Sequence, residues 1–329
     1  MHILIVKTSS LGDVVHALPA LTDATRALPG LRADWLIERP FAEIPSWHPA
    51  VDRVIPCNLR GWRKAPLSAA TRQQWRDFRQ ALAVRRYDCI IDAQGLFKSA
   101  WLATLARGPR AGADRHSARE PLASFLYQQR YRVPRHDQAH AIERTRRLFS
   151  AALGYPLPDL IAPPDAGLER DRFPRPADAG ANDILLLHGT TWPSKRWPLS
   201  QWCALAQALS QLGLRPVLPW GNADERAVAE AIATASDGLV LPKLGLSALA
   251  GWLANARGVV GVDTGLMHLA AALAVPGVSL YGPTLPQLTG AWGQRQTWLW
   301  NTTATTIDRD RPLAIETNAV LSALLAAIG

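Results

Sequence analysis

Short apolar segments alternate with helical segments along this chain, and this alternation constrains the fold more than any other feature. Apolar runs followed by helices are typical of βαβ units, whose parallel strands are buried under helices. In the first half the predicted strands are 3–6, 33–38, 51–56 and 87–92, and the predicted helices include 71–86, 96–107, 119–127 and 140–153. In the second half the predicted strands are 183–187, 215–218, 238–241, 258–262 and 277–281, and the predicted helices are 198–212, 223–235, 246–256, 265–274 and 316–327. The predicted fold class is therefore α/β.

Proline marks the boundary between the two halves. Six prolines lie between residues 155 and 182, where apolar periodicity is weak, and such a composition is typical of a linker. A length of 329 residues also favours two domains over one. We predict a Rossmann-like domain at 1–155, a Pro-rich linker at 156–182 and a second Rossmann-like domain at 183–329, with both domains facing a central cleft.

Charge is distributed unevenly between the halves. The formal net charge is +9, but residues 1–155 hold 24 Lys and Arg against 13 Asp and Glu, whereas residues 156–329 hold 12 against 14. The excess in the first half indicates a polyanionic partner, which could be nucleic acid, an anionic membrane surface or a phosphorylated substrate. A solubilising surface would not by itself explain the asymmetry, although a generally Arg-rich composition would. In this half Leu59–Lys64 (LRGWRK) is a predicted basic loop, and Thr71 is the predicted cap of helix 71–86.

Composition also bears on the compartment. No run of about 18 apolar residues occurs, and the first strand carries no signal-peptide pattern, so we expect neither a membrane span nor export from the cytoplasm. The cysteines are isolated and odd in number, at Cys57, Cys89 and Cys203. They are therefore predicted to be reduced core residues rather than a disulfide framework or a metal site.

A carboxylate follows the first predicted strand. Ile3–Val6 is followed by a short polar loop, and Asp13 lies where the next helix begins. Because ligands of open α/β sheets bind at the carboxyl ends of strands, Asp13 is a candidate for chemistry. The alternative is that Asp13, Ser9 or Ser10 only caps the helix by accepting a hydrogen bond from a free N–H group.

Polar residues also follow the predicted strands of the second half. They are 188–191 (HGTT), Lys195, Trp220 and Gly221 with Glu225, Lys243, and 262–268 (VDTGLMH). The segment after strand 258–262 is the most informative, because Thr264, Gly265 and Leu266 supply the free N–H groups of a helix start. Such a start binds phosphate groups through aimed donors and the helix dipole.

The neighbouring polar residues extend this candidate phosphate site. Thr190, Thr191 and Lys195 could complete a diphosphate pocket, and Glu225 could accept hydrogen bonds from ribose hydroxyls. Each residue has a structural alternative, since Asp263 or Thr264 can serve only as a cap and His268 can be an ordinary core histidine. Taken together, the set favours a nucleoside diphosphate ligand.

Several other classes of protein are not supported. The DTG at Asp263 occurs once and in an α/β pattern, whereas aspartic proteases need two carboxylates in an all-β chain. Neither a P-loop motif nor GxGxxG is present, which argues against a Walker ATPase or an ordinary NAD fold. Asp308 and Asp310 form a single DxD without a preceding strand, so no metal site is predicted.

Seven segments of the chain carry a family resemblance. They are KTSSLGDVVHALPALTDA (7–24), DAQGLFKSA (92–100), AREPLAS (118–124), HAIERTR (140–146), KRWP (195–198), LPWG (218–221) and VDTGLMHLAAAL (262–273). In this order, through both halves, they resemble glycosyltransferase family 9, the ADP-heptose transferases of lipopolysaccharide core biosynthesis. The first and third segments are similar to the form found in heptosyltransferase I rather than II.

This resemblance implies a GT-B fold and an inverting transfer. The donor would be ADP-L-glycero-D-manno-heptose, bound by the second domain, and the acceptor would be the inner Kdo sugar of Kdo-lipid A, bound by the first. Asp13 would be the general base, and Lys195 would assist the departing ADP. The donor-binding residues would be Thr190, Thr191, Lys195, Glu225, Lys243, Asp263, Thr264, Gly265, Leu266 and His268. The acceptor-binding residues would be Ser10, Arg60, Arg63, Lys64, Arg119, His140 and Arg144.

The basic first half agrees with such an acceptor, because Kdo carboxylates and lipid A phosphates are anionic. Trp62 is a candidate for contact with lipid or sugar. We expect a monomer that associates peripherally with the cytoplasmic face of the inner membrane, without a cofactor, a metal or a nucleic-acid partner. The alternatives are a second-type heptosyltransferase, a nucleotide-sugar epimerase of the same fold, and a non-enzymatic protein that binds polyanions.

Overall fold

The computed structural model describes residues 1–300 and 313–329, and the chain divides into two compact units, Met1–Gly167 and Leu168–Gly329. The division falls inside the Pro-rich stretch. Each unit is built around a parallel β-sheet covered by helices, which agrees with the predicted α/β class.

The sheet of the first unit has the strand order of a Rossmann fold. Its strands are β1 (His2–Val6), β2 (Arg32–Glu38), β3 (Val51–Cys57), β4 (Cys89–Asp92), β5 (Arg110–Ala113) and β6 (Gln129–Tyr131). They pair in parallel in the order β3-β2-β1-β4-β5-β6. Because the order reverses between β1 and β4, the loops after these two strands form the topological switch point, where such sheets bind ligands.

Helices connect these strands. They are α1 (Leu11–Val15), α2 (Leu18–Ala27), α3 (Glu43–Ser46), α4 (Leu59–Lys64), α5 (Ala69–Ala83), α6 (Phe97–Ala103) and α7 (Ala141–Leu153), with 3₁₀ turns at Arg39–Phe41 and Pro121–Leu126. The core on one face of the sheet includes Leu4, Val6 and Ile90, against which α5 packs Phe78 and Leu82.

Two predictions for the first unit are wrong. Residues 59–64 are not a loop but helix α4, whose N-cap Asn58 accepts a hydrogen bond from the Gly61 N–H at 3.1 Å. The cap of α5 is Ser68 rather than Thr71, because the Ser68 hydroxyl accepts from the Thr71 N–H at 3.1 Å. In both cases the capping side chain precedes the first helical residue, as is usual.

The predicted helix at 119–127 is shorter in the structure. Only Pro121–Leu126 is helical, as a 3₁₀ turn, and the short strands β5 and β6 on either side of it were not predicted.

The sheet of the second unit repeats the same order. Its strands are β7 (Asp183–Leu187), β8 (Arg215–Leu218), β9 (Leu239–Val240), β10 (Gly258–Val262), β11 (Gly277–Tyr281) and β12 (Gln296–Trp300). They pair in parallel as β12-β11-β10-β7-β8-β9. The switch point of this unit therefore lies between β7 and β10.

The helices of the second unit agree closely with the predicted spans. They are α8 (Leu199–Gln211), α9 (Ala223–Ser236), α10 (Leu246–Asn255), α11 (Gly265–Ala272), α12 (Pro286–Thr289) and α13 (Thr317–Ile328), with 3₁₀ turns at Arg170–Arg172 and Pro193–Lys195. Helix α13 packs Val320 and Leu324 into the same core as Trp202 and Val260. Strand β12 and the short helix α12 were not predicted, and the DxD at Asp308 and Asp310 lies outside the described residues.

The cysteines are free thiols, as predicted. Cys57 and Cys89 are buried, and burial raises their pKa values to about 12 and about 11, so both thiols stay protonated at neutral pH. Among the residues that the structure describes, no helix is both long and apolar enough to cross a membrane.

Candidate active site

Asp13 lies in the first turn of α1, directly beyond the carboxyl end of β1. One of its carboxylate oxygens, Oδ2, accepts hydrogen bonds from the backbone N–H of Ser10 at 2.8 Å and from the Ser10 hydroxyl at 2.9 Å. The other oxygen, Oδ1, lies 3.8 Å from the ammonium of Lys7. Ser10 is the N-cap of α1, and Asp13 is the reciprocal partner in a capping box.

The capping interpretation and the chemical one are therefore compatible. The carboxylate of Asp13 holds the helix start through one oxygen, and its side chain keeps 35% of its surface exposed. Ser10, a predicted acceptor residue, is tied to Asp13 by its own hydroxyl.

Three cations surround the carboxylate. Burial alone would raise the pKa of Asp13, but the Lys7 ammonium, the Ser10 hydrogen bonds and the Arg119 guanidinium outweigh it and hold that pKa below its usual value. Burial lowers the pKa of Lys7, and the positive charges of Arg144 and Arg119 lower it further. Asp13 thus stays ionised at neutral pH as the anionic centre of a cationic group formed by Lys7, Arg119 and Arg144.

Arg144 has an unused donor in this group. Its Nε is buried and finds no hydrogen-bond acceptor within residues 1–300 and 313–329. A buried unsatisfied donor is costly, and the carboxylate of a bound ligand would relieve that cost. The side chain of the other predicted acceptor residue on α7, the N-cap His140, packs edge-on against His16, with ring centroids 5.3 Å apart.

The loop after β4 supports the loop after β1. Asp92 is 1% exposed, and its carboxylate accepts hydrogen bonds from the Tyr127 hydroxyl at 2.6 Å, the Ser99 hydroxyl at 2.8 Å and the Gln94 N–H at 2.9 Å. The Gln94 amide oxygen in turn accepts from the Thr8 N–H at 3.1 Å. Asp92 therefore positions both loops of the switch point.

The remaining basic residues predicted for the acceptor lie on α4. Arg60 is exposed and acts electrostatically, with Lys98, on the buried Glu38, while Arg63 and Lys64 form the exposed last turn of the helix. Trp62 is not available to a ligand as predicted, because it is 9% exposed and packs on Trp75 with ring centroids 5.3 Å apart. Because residues 59–64 form a helix and not the predicted loop, this side chain points into the core.

Asp263 is the centre of the second group of polar residues. Its carboxylate oxygen Oδ2 lies 2.6 Å from the Lys195 ammonium and 2.7 Å from the Thr284 hydroxyl, and Oδ1 lies 3.7 Å from Nε2 of His268. Burial alone would raise the pKa of Asp263, but His268 and Lys195 outweigh it and hold that pKa far below its usual value. The carboxylate is thus an ionised anchor that fixes the position of Lys195.

The start of α11 adjoins this anchor. Thr264 is the N-cap with extended backbone, and the first N–H groups of the helix, including those of Gly265 and Leu266, have no intrahelical partner by helix geometry. The Thr190 hydroxyl reaches the Asp263 carbonyl at 3.5 Å, which links the loop after β7 to the loop after β10. Thr191 is exposed in the same loop. The predicted donor residues of these loops therefore meet at the switch point.

Glu225 joins the group from the first turn of α9. Its carboxylate accepts a hydrogen bond from the Gly221 N–H at 2.7 Å, and its carbonyl lies 2.9 Å from Nε2 of His188. A Cβ at Gly189 would lie 2.8 Å from the Glu225 carboxyl carbon, so a larger residue there would displace this carboxylate. Lys243 is exposed in the loop after β9.

Three residues of these groups were not predicted from the sequence. Lys7 was treated only as part of a strand, Asp92 as part of a motif, and Thr284 was not considered. Thr284 follows β11, the neighbour of β10, so the rule that polar residues after parallel strands share an edge would have identified it.

One further cluster has the spacing of a metal site. His2, Asp34 and Asp52 bring ligand atoms within 4.8 Å of one another at the opposite edge of the first sheet. Asp34 is also bonded to the Tyr87 hydroxyl at 2.8 Å and to Nε of Arg53 at 2.9 Å. Because the partners of Asp34 are cations and a hydroxyl, this cluster is an ion-pair network.

Comparison with known proteins identifies the family. The model of glycosyltransferase family 9 (heptosyltransferase) matches residues 75–317. Lipopolysaccharide heptosyltransferase 1 of Pseudomonas aeruginosa is 52% identical over 301 residues, which cover 91% of this chain and 83% of that protein. The protein of the same name from Escherichia coli is 48% identical over 302 residues, which cover 90% of this chain and 92% of that protein.

Solved structures agree with these relatives. The E. coli heptosyltransferase WaaC with ADP has a TM-score of 0.90 and 44% identity. The match covers 99% of this chain and 100% of that chain. E. coli heptosyltransferase II, at 23% identity and a TM-score of 0.77, shares the fold. The predicted GT-B class with two Rossmann-like domains is confirmed, and the chain belongs to glycosyltransferase family 9, the heptosyltransferases.

Proposed function

We propose that this glycosyltransferase moves L-glycero-D-manno-heptose from ADP-heptose to the inner Kdo of Kdo-lipid A, with inversion at the anomeric carbon. The observation that carries the proposal is the Lys195 ammonium, held 2.6 Å from the buried Asp263 carboxylate at the start of α11. It lies in a fold shared with a heptosyltransferase whose structure was solved with ADP and with ADP-2-deoxy-2-fluoro heptose.

Donor binding follows from the chemistry of these groups. A diphosphate needs positive charge and hydrogen-bond donors, which Lys195, the Thr190 and Thr191 hydroxyls and the N–H groups of Gly265 and Leu266 supply. Glu225 offers carboxylate acceptors for ribose hydroxyls, while Thr264, His268 and Lys243 border the same loops. Asp263 acts by holding Lys195 in place.

Acceptor binding follows from the cations around Asp13. The Kdo carboxylate would pair with Arg119 and Arg144, and it would satisfy the buried Nε of Arg144. Arg60, Arg63 and Lys64 on α4 and His140 on α7 would meet the more distant anionic groups of the acceptor.

The reaction then requires one base and one stabilised leaving group. Asp13 removes the proton of the acceptor hydroxyl as that oxygen attacks the anomeric carbon on the face opposite ADP, and the bond from this carbon to the diphosphate oxygen breaks. Lys195 and the start of α11 stabilise the negative charge that develops on ADP. Since attack and departure occur in one displacement, no covalent enzyme intermediate forms, and we propose that neither a metal nor a cofactor takes part.

We also propose that the enzyme works at the cytoplasmic face of the inner membrane as a peripherally bound monomer. Anionic lipid attracts basic residues near its surface by about 1 kcal/mol each. The basic first unit supplies such residues.

The experiment that tests this function measures ADP release from ADP-heptose with and without Kdo-lipid A, in the presence of EDTA. We expect release that depends on the acceptor and survives chelation. Release of ADP without acceptor would indicate a hydrolase, and conversion of the donor to an isomer without release of ADP would indicate an epimerase. Absence of ADP binding would leave only a polyanion-binding protein.

A further inference from the structure

Two neighbouring elements of the first unit, α6 and the 3₁₀ turn Pro121–Leu126, bury part of their apolar residues and leave several large ones exposed. Ala100 of α6 and Ala123 of the 3₁₀ turn Pro121–Leu126 are fully buried, and with Tyr127 they form a small core cluster. In contrast, four large side chains are exposed: Phe97 at 48%, Trp101 at 41%, Leu122 at 64% and Phe125 at 67%. In a helix that serves only the core the large apolar side chains are buried, as Leu102 of α6 is.

These four side chains lie on two elements that pack on each other, and we call them the apolar face; Trp101 also stacks on Trp75 of α5, with ring centroids 5.6 Å apart. Phe97 and Trp101 are four residues apart and lie one above the other on α6. Leu122 and Phe125 are three residues apart, so they eclipse each other on a 3₁₀ turn. A hydrogen bond from the Phe97 N–H to the Glu120 carboxylate at 2.7 Å ties the two elements together.

The apolar face is continuous with the acceptor side of the site. Helix α6 follows β4, so Phe97 lies at the same sheet edge as Asp13. The Gly95 carbonyl, two residues before Phe97, accepts from the Glu120 N–H at 3.0 Å, which places Arg119 beside this loop. An acceptor bound at Arg119 would therefore lie next to the apolar face.

Positive charge borders this face. Lys98 follows Phe97 and is exposed, and Arg119 precedes the 3₁₀ turn. Arg130 is held against the end of the turn, because its Nε donates to the Ser124 carbonyl at 2.8 Å and to the Tyr127 carbonyl at 3.2 Å. Aromatic and aliphatic side chains with a cationic border are the pattern of proteins that lie in the interface of an anionic bilayer.

We propose that the apolar face inserts into the headgroup and upper acyl region of an anionic membrane, with Lys98 and Arg130 paired to lipid phosphates. The partner is the bilayer itself and not the acyl chains of the acceptor. This inference rests on the proposed function, since it brings the Asp13 loop to the surface where a lipid-anchored acceptor would be found. Leu122 and Phe125 supply most of the inserted surface, and the fluorescence of Trp101 reports how deeply this surface inserts.

The test uses the full chain and acceptor-free vesicles of phosphatidylglycerol and phosphatidylethanolamine. We expect the wild-type protein to co-sediment with these vesicles, and the Leu122→Ser/Phe125→Ser variant to bind at least about tenfold more weakly. The matched control is Val84→Ser/Leu212→Ser, which removes two comparably exposed apolar side chains, 68% and 54% exposed, elsewhere on the chain. The control should bind within about twofold of wild type.

Two further measurements separate the possible outcomes. Brominated lipids should quench the tryptophan fluorescence of the wild type more than that of Trp101→Phe. This measurement does not depend on the stability of the serine variant. Heptose transfer to a deacylated, soluble acceptor should be unchanged in Leu122→Ser/Phe125→Ser, because the site itself is intact.

The proposal is overturned if wild type fails to bind the vesicles, if the serine variant binds them as well as wild type, or if quenching is unchanged in Trp101→Phe. It is also overturned if the exposed side chains prove to join two copies of the chain, as shown by a wild-type dimer that the serine variant loses without a change in vesicle binding. Failure of the proposed function is distinguishable, since it would abolish transfer to both acceptors while vesicle binding stayed intact.

Discussion

In the proposed mechanism Asp13 combines a structural and a chemical role in one carboxylate. The Ser10 hydrogen bonds orient it, and Lys7 favours its ionised form. A base of lowered pKa is weak, so its contribution depends on position: it must be ionised, fixed and beside the acceptor hydroxyl.

Replacing Asp13 with Asn keeps an oxygen that can accept from Ser10 but removes the base. We expect kcat to fall by about a hundred- to ten-thousand-fold. The affinity for ADP should change little, because the residues proposed to bind the diphosphate lie in the second unit. Steady-state kinetics and calorimetric titration with ADP check both parts. Near-normal turnover would reduce Asp13 to a helix cap.

Lys7 sets the pH range in which Asp13 is ionised. Because its ammonium lowers the pKa of the carboxyl, Lys7→Gln should raise that pKa, and the acid limb of the pH profile of kcat/KM should move to higher pH. Lys98→Gln, which removes an exposed ammonium near Glu38, is the control and should leave the limb in place with a soluble acceptor. An acid limb that does not move in Lys7→Gln would mean that another group is the base.

Thr284 positions Asp263 and, through it, Lys195. In Thr284→Val the shape is kept but the 2.7 Å hydrogen bond to the carboxylate is lost. The loss of one such bond predicts an ADP dissociation constant about five- to tenfold higher, measured by calorimetry. Thr289→Val, on the exposed surface of α12, should bind ADP normally. Unchanged ADP affinity in Thr284→Val would show that Lys195 needs no such support.

At the scale of elements, the long periodic segments could be predicted from the sequence and the short ones could not. Strand β1 and helices α8 and α9 have clear apolar periods, whereas β5 has only Ala and Gly between arginines, and β6 has three residues. Their strand geometry is determined by pairing, of β5 with β4 and of β6 with β5, rather than by intrinsic preference. Helix α4 was missed because its cap, Asn58, and its buried Trp62 are recognisable only once the neighbouring α5 is in place.

The candidate site shows the same division. Strand-end positions could be predicted, because β1 and β10 are strongly apolar and their loops begin with polar residues. The partners that orient these residues and shift their pKa values could not be predicted. Lys7 contacts Asp13 only across a loop, and Thr284 contacts Asp263 from the loop after another strand.

The network at Asp34 holds β1, β2 and β3 together at the edge opposite the site. Burial would raise the pKa of Asp34, but hydrogen bonds from Arg53, Tyr87 and His2 outweigh it and lower that pKa. A carboxyl with a lowered folded-state pKa stabilises the fold above its unfolded value of about 3.9, and this stabilisation is lost as the pH falls through the folded-state pKa.

We therefore expect Asp34→Asn to destabilise the protein by about 2–3 kcal/mol at pH 7, and its difference from wild type to shrink in acid. Urea unfolding at several pH values measures this. The control Asp77→Asn, an exposed carboxylate on α5, should change stability by less than about 0.5 kcal/mol. A constant difference at every pH would assign the effect to packing rather than to ionisation.

At the scale of the whole molecule, the net positive charge is concentrated in the unit proposed to bind the acceptor. The unit Met1–Gly167 holds 24 Lys and Arg against 15 Asp and Glu, whereas Leu168–Gly329 holds 12 of each kind, so the entire net charge of +9 lies in the first unit. An anionic acceptor on the first unit and a nucleotide held by a few precise donors on the second agree with this division. In the proposed function, two sheets of identical strand order serve different substrates through different loops.

The most direct test of this division of labour is the mass of Kdo-lipid A after incubation with ADP-heptose and the enzyme. We predict that the wild-type protein adds one heptose residue, with the anomeric configuration inverted relative to the donor as read by NMR. Asp13→Asn should leave nearly all of the acceptor at its original mass while still binding ADP. An unchanged acceptor mass with the wild-type enzyme, or a product with retained configuration, would contradict the proposed transfer.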